Sequence, residues 1–278
     1  MSRVLFVSDM DGTLLNSDVR VSPLTSHIIT RLSQQDALIT VATARTPGTV
    51  AGLLKDTLIN VPAIVMTGAA LWHTDTNTYS DVRFIPSDQY AVIDEIYARA
   101  GVSPFIYTLS DDHILHVYHT EAALSAPEKE FVDERRHLAL KKFHIGQMPV
   151  ATTDTRRILQ FAMGTEKAVR DTADALRDAT YCQVSFYRDT YSDMWILEVF
   201  APGVSKAAAV TAMRQRLGAD KTVVYGDNLN DLPMMAVADI AIAVDNALPQ
   251  VRQAADVVIG SHDTDAVARS MEHLFATL

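Results

Sequence analysis

The chain is short of cysteine. Cys182 stands alone among 278 residues, which excludes an intrachain disulfide and fits a reducing compartment. It lacks any apolar run approaching the roughly 20 residues of a membrane-spanning helix. The N-terminal run Val4 to Val7 is too short for the apolar core of a signal peptide, so a cytoplasmic location and no membrane partner are expected. Basic residues are in deficit: 24 Lys and Arg against 34 Asp and Glu leave a formal net charge of −10. That balance argues against general nucleic-acid binding, which needs a basic face. Lys141-Lys142 is too short to supply one. An acidic surface also repels phosphorylated ligands. Any phosphate site therefore needs local compensation from a metal, a lysine or helix N-termini. Internal repeats and low-complexity tracts are missing too. What remains is an ordinary globular composition, 48% hydrophobic and 21% charged, with material for one large core or two moderate ones.

The first part of the chain alternates apolar strands with amphipathic helices. Val4 to Ser8 reads as a strand. Pro23 to Gln34 reads as a helix with Ser22 as its N-cap and Pro23 at the first helical position. Ala37 to Ala42 is a second strand, Thr46-Pro47 opens a second helix, and Ala63 to Met66 is a third strand. The pattern returns near the end. Helices are expected at Ser205 to Leu217, Leu229 to Ala236, Leu248 to Ala254 and from Asp263. Strands are expected at Thr222 to Tyr225, Ile240 to Val244 and Asp256 to Ile259. Continuous apolar strands between helices predict an α/β fold with a doubly wound, mostly parallel sheet. The middle differs. Strand-like runs at Phe105 to Leu109, His113 to Tyr118, Arg157 to Met163 and Cys182 to Tyr187 surround helix candidates at Ser87 to Ala100 and Thr165 to Asp178. This predicts an inserted α+β domain over residues 84–190. It would enter near Arg83 to Pro86, exit near Tyr191 to Asp193, and act as a hinged lid. Residues 1–83 and 191–278 form the core. Residues 122–155 carry no clear pattern.

Chemistry-bearing residues fall where the strands of the core end, and open α/β sheets bind ligands there. Asp9-Met10-Asp11-Gly12-Thr13 follows the first strand. At a period of two, Asp9 and Asp11 point to the same side and repel, unless a hard cation such as Mg²⁺ uses them. Gly12 permits the tight turn that follows; the plainer alternative is a polar turn. Thr43, in Ala42-Thr43-Ala44-Arg45, has a hydroxyl beside a helix N-terminus and suits either a phosphate oxygen or a plain cap. Lys206 follows the N-cap Ser205, where a cation opposes the helix dipole. That suggests a use beyond solvation, such as neutralising a phosphate or a nucleophile. Gly226-Asp227-Asn228-Leu229-Asn230-Asp231 sets acids and amides at a strand end and suits a hard metal, or an Asx turn.

In this order and at these places, the motifs resemble those of the haloacid dehalogenase-like phosphatase superfamily. More narrowly, they resemble the Cof-type hydrolases, which carry a large α+β cap between the second and third motifs. Asp9 to Leu15 and Gly226 to Asp231 match closely. Ala44 and Ala207 stand where glycine is usual, and Thr67-Gly68-Ala69 replaces a frequent Asn-Gly-Ala, changes that bear on pocket shape and substrate. The resemblance implies a Mg²⁺-dependent phosphatase. Asp9 would be the nucleophile that forms an aspartyl-phosphate, and Asp11 the acid and base. Asp9, the Asp11 carbonyl and Asp227 would hold the metal. Thr43, Lys206 and Asn230 would contact the phosphate, with the amides of Met10 and Ala44 and with Gly12 as backbone donors. Asp231 would orient Lys206 or a metal-bound water. The expected substrate is a small phosphorylated metabolite, with a sugar phosphate favoured. A phosphomutase and a non-catalytic phosphometabolite-binding regulator are the alternatives. Tyr107, Tyr187, Arg188 and Trp195 are candidate substrate contacts of the cap. The even spacing of His113, His116 and His119 suggests a metal site, but in a strand His116 faces away from the other two. Cys182 reads as a small packed hydrophobe.

Overall fold

Val4–Ser8 (β1) is buried at every position, as expected of a strand covered on both faces. In the computed structural model, which describes residues 3–150, 156–188 and 194–278, the chain separates into two compact units. The first holds Met1–Ser80 and Ser205–Leu278, the second Asp81–Val204.

The first unit continues from β1 through α1 (Pro23–Gln34), β2 (Leu38–Val41), α2 (Pro47–Leu53) and β3 (Ala63–Val65). Helix α1 starts where expected because the Ser22 hydroxyl accepts from the Thr25 amide at 3.0 Å, and it buries Ile28, Ile29 and Leu32. A hairpin of β4 (Ala70–His73) and β5 (Thr78–Ser80) then closes on β3.

The second unit follows with α3 (Tyr90–Ala100), β6 (Phe105–Leu109), β7 (Leu115–His119), α4 (Ala126–Asp133), β8 (Lys141–Ile145), β9 (Arg156–Gly164), α5 (Glu166–Ala179), β10 (Gln183–Arg188) and β11 (Trp195–Phe200). These strands form one sheet in the order β10-β11-β9-β6-β7-β8, antiparallel except at β7–β8. Ile93, Ile96, Val169, Ala173 and Leu176 from α3 and α5 pack with Ala162, Leu197 and Val199 of the sheet, and Cys182 lies against this core.

The chain returns to the first unit with α6 (Lys206–Leu217), β12 (Lys221–Gly226), α7 (Leu232–Met235), β13 (Ile240–Val244), α8 (Pro249–Ala254), β14 (Val257–Ile259) and α9 (Ala266–Thr277). The resulting parallel sheet has the order β14-β13-β12-β1-β2. A parallel bridge from Ala42 to Ile64 brings β3 alongside β2. Strand order reverses on either side of β1, which makes its carboxyl end the topological switch point.

One boundary differs from expectation. The insertion was expected to end at residue 190, but β11 pairs with both β9 and β10, and the second unit runs to Val204. An apolar strand carries no mark of which sheet it will join, so only the pairing reveals this. The exit expected near Tyr191 to Asp193 lies outside the described residues. Among the described residues no helix is long and apolar enough to cross a membrane.

Candidate active site

The site is built from the ends of strands. The Asp9 amide donates to the Tyr225 carbonyl at 3.0 Å, tying the residue after β1 to β12. The chain then turns through Gly12 at φ +75°. A Cβ at that position would lie 2.6 Å from Asp227 Oδ2, so glycine is required both for the conformation and for the closeness of Asp227. Met10 is fully buried, and its carbonyl closes the turn by accepting from the Leu15 amide.

Lys206 enters from the first turn of α6. Ser205 caps that helix by accepting from the Ala208 amide at 3.1 Å. The loop after β3 seats the cap. Gly68, at φ +97°, lies so close that a Cβ there would sit 2.4 Å from the Ser205 carbonyl oxygen. Thr67, also at positive φ, has a buried hydroxyl with no partner among the described residues. Lys206 is buried, and its Nζ donates to Asp9 Oδ1 at 2.5 Å and to Asp231 Oδ1 at 2.8 Å. Burial alone would discharge the ammonium. The charges of Asp231 and Asp9 outweigh it and hold its pKa well above the ordinary value.

Asp231 is fully buried. Its second oxygen accepts from the amides of Asp227 and Asn228, both at 3.1 Å. It is thus an anchor for Lys206 that also fixes the turn after β12. Asp227 accepts from the Thr13 hydroxyl at 2.8 Å. Burial and then the charge of Asp231 push its carboxyl up from 3.8 to about 6. Asp9 is raised by burial first and by Asp231 and Asp227, with Lys206 pulling the other way. The expected crowding of Asp9 by Asp11 is therefore not its source. Asp11 is turned to Arg45, whose Nε and a terminal nitrogen donate to its two oxygens at 2.7 and 2.6 Å.

That fork is the main feature the sequence reading passed over. Arg45 was in view beside Thr43, and its place at the head of α2 was the available signal. Thr13 likewise carries no local mark of its hydrogen bond to Asp227, 214 residues later. Thr43 is buried, and its hydroxyl oxygen accepts from the Arg45 amide at 3.1 Å, which leaves its own proton to give. Ala44 is half-buried beside it. Asn230 is exposed on the turn after β12, and its side chain makes no hydrogen bond among the described residues. In the second unit Tyr107 is buried, Tyr187 and Arg188 are exposed, and Trp195 stacks on Phe186 at 4.7 Å. His116 and His119 do face opposite ways, as their burial shows. His116 instead meets His144 of the adjacent strand at 2.9 Å.

Carboxylate oxygens of Asp9, Asp227 and Asp231 lie within 4.8 Å of one another, with Lys206 as the cation bonded to two of them. Three acids against one ammonium leave an excess of negative charge, which adds to burial in raising Asp9 and Asp227. An all-oxygen donor set with that excess suits a divalent hard cation. The local field would then favour both the metal and, once it is bound, an anionic phosphate.

A family model described as haloacid dehalogenase-like hydrolase matches residues 6–271. The chain is 25% identical over 287 residues to a 5-amino-6-(5-phospho-D-ribitylamino)uracil phosphatase of Bacillus subtilis (strain 168), covering 96% of each chain. It is 24% identical over 275 residues to an HMP-PP phosphatase of Serratia proteamaculans (strain 568), covering 95% of this chain and 93% of that one. Among solved structures, a haloacid dehalogenase-like hydrolase from Bacteroides thetaiotaomicron aligns with a TM-score of 0.77 at 20% identity, over 99% of this chain and 100% of that one. A sugar phosphatase of subclass IIB aligns with a TM-score of 0.72 at 21% identity, over 99% of each. At these identities the structural likeness shows a shared fold.

Proposed function

We propose a function from one premise: the chain belongs to the haloacid dehalogenase-like hydrolase family. It is a phosphatase of a small phosphorylated metabolite, with sugar phosphates as the substrate class, and it works through an aspartyl-phosphate. The observation that carries this is the buried Asp9, bonded to Lys206 at 2.5 Å and flanked by Asp227 and Asp231. The relatives' names support the substrate class: two are phosphatases of small phosphorylated compounds and one structural neighbour is a sugar phosphatase.

Asp9 attacks phosphorus. A carboxylate oxygen–phosphorus bond forms as the bond to the leaving alkoxide breaks. Lys206 favours the ionised Asp9 and is placed to bind a phosphate oxygen that arrives there. Asp231 keeps the ammonium charged and aimed. The Thr43 hydroxyl proton is available to a second phosphate oxygen. Asp11 delivers a proton to the leaving oxygen and then takes one from the water that hydrolyses the intermediate. Acting as an acid requires one of its oxygens to be freed from the Arg45 fork. Magnesium held by Asp9, the Asp11 carbonyl and Asp227 would supply the charge that offsets repulsion between carboxylate and phosphate. On this reading the first unit carries the chemistry and the second, inserted unit discriminates among substrates.

The test is phosphate release from a panel of sugar phosphates, nucleotides and phosphorylated cofactors with Mg²⁺, using wild type and Asp9→Asn. Release by wild type and none by the variant is expected. Hydrolysis by Asp9→Asn at the wild-type rate would show the mechanism to be wrong.

A further inference from the structure

Lys141 opens β8 and is buried, with 6% of its surface exposed. It belongs to the second unit, and none of the chemistry above uses it. A lysine in a sheet usually lays its stem on apolar surface and lifts its ammonium into water. Here almost the whole side chain is covered instead. Its ammonium lies 5.5 Å from the ring centroid of Tyr107 and 5.9 Å from that of Phe143, at the outer edge of the range in which a ring face holds a cation. No hydrogen bond or ion pair reaches its Nζ among the described residues.

The charged group that acts on Lys141 is a second cation, Arg135. Burial first, and then this repulsion, push the amine down to about 7. Arg135 follows α4, and its guanidinium carbon sits 4.3 Å above the Phe131 ring. Phe131 in turn meets Phe143 edge-on, at 6.3 Å and 85°. One terminal nitrogen of Arg135 donates to the Phe131 carbonyl at 3.1 Å and to Glu134 at 2.6 Å. Its other N–H groups have no partner among the described residues. Glu198 is buried in β11 and acts on Tyr107, as does Arg135, but it is not among the groups acting on Lys141. Arg135 is paired with Glu134, whereas Lys141, held among aromatic rings, has no anionic partner among the described residues. Buried charge of one sign is costly unless something pairs with it.

We propose that Lys141 and Arg135, walled by Tyr107 and Phe143, bind the oxyanion group of a small ligand, a carboxylate or a phosphoryl group. Such a group accepts from the unpartnered ammonium and from the open guanidinium donors at once, and charge-assisted hydrogen bonds of this kind are the strong ones. The site is independent of the assignment made for Asp9.

The test titrates the full chain with sodium acetate and, separately, with inorganic phosphate, following backbone amide shifts by NMR. Sodium chloride at matched ionic strength is the control. Saturable shifts at residues 131–136 and 140–144 are expected. Acetate alone would mark a carboxylate site, phosphate alone a phosphoryl site, and both a general oxyanion site. Lys141→Met should weaken binding about tenfold or more, equivalent to ~1.4 kcal/mol. It removes a buried unpaired charge and should fold. Arg135→Gln, at a less buried position, should show the same loss. Asp9→Asn should leave these shifts unchanged. The proposal is overturned if neither probe gives saturable shifts there, if chloride gives the same ones, or if Lys141→Met binds as wild type does.

Discussion

Asp227 should be a residue the fold would be more stable without. Its carboxyl is raised from 3.8 to about 6 by burial and by Asp231. At 1.36 kcal/mol per pH unit, that rise corresponds to about 3 kcal/mol. A carboxyl whose folded pKa lies above its unfolded one contributes stability below the unfolded value, and loses it as pH rises through the folded value. Wild type without metal therefore loses this amount between about pH 4 and pH 7. Asp227→Asn does not, and its side-chain oxygen can still accept from the Thr13 hydroxyl, which now donates at 2.8 Å. Partial solvent access trims the gain to about 1–3 kcal/mol at pH 8. For a unit the size of the first, that is a rise of roughly 2–10 °C in melting midpoint. The assay is thermal unfolding in EDTA from pH 4 to pH 8, repeated with millimolar Mg²⁺. The variant should match wild type in acid and exceed it above pH 6. Mg²⁺ should raise the midpoint of wild type and not that of the variant. A variant no more stable than wild type at pH 8, or stabilised equally by Mg²⁺, would refute the reasoning.

Lys206→Met leaves Asp9 and Asp231 without their shared cation. It should cost about 3–5 kcal/mol in urea unfolding at pH 8. Asp9, already raised, would rise further, so the deficit should shrink as pH falls and protonated acids no longer need a cation. Its phosphate release should fall about 10²–10³-fold, since a preorganised charge at the reacting group is lost. Arg45→Lys keeps the charge but cannot make the two-pronged contact with Asp11. Steady-state kinetics should show kcat lowered about tenfold to a hundredfold with KM little changed.

Much of the core was legible because its signals are local. Ser22 and Pro23 mark the start of α1, and the apolar runs at 4–7 and Ile240–Val244 mark buried strands. Asp9, Thr43, Lys206 and Asp227 stood out because each follows a strand or heads a helix. Pairings between distant segments were not legible. Nothing near Arg45 says that its guanidinium will take Asp11, 34 residues earlier. Nothing in Trp195–Phe200 says that it will join the inserted sheet. Helix α4 is a different case. Ser125 and Glu128 form a capping box around Pro127, a signal present in residues 122–155 that the weak hydrophobic pattern around it obscured. The His116–His144 contact needed the β7–β8 register, which places the two residues on neighbouring strands.

The most direct measurement of the central claim is chemical trapping of the intermediate. Wild type turning over a phosphorylated substrate with Mg²⁺ is quenched with borohydride, which reduces an acyl phosphate to the alcohol, and the modified residue is mapped by mass spectrometry. Recovery of residue 9 as homoserine, dependent on substrate, is the expected result. Modification mapped to another carboxylate, or sustained turnover with Asp9 recovered intact, would contradict it.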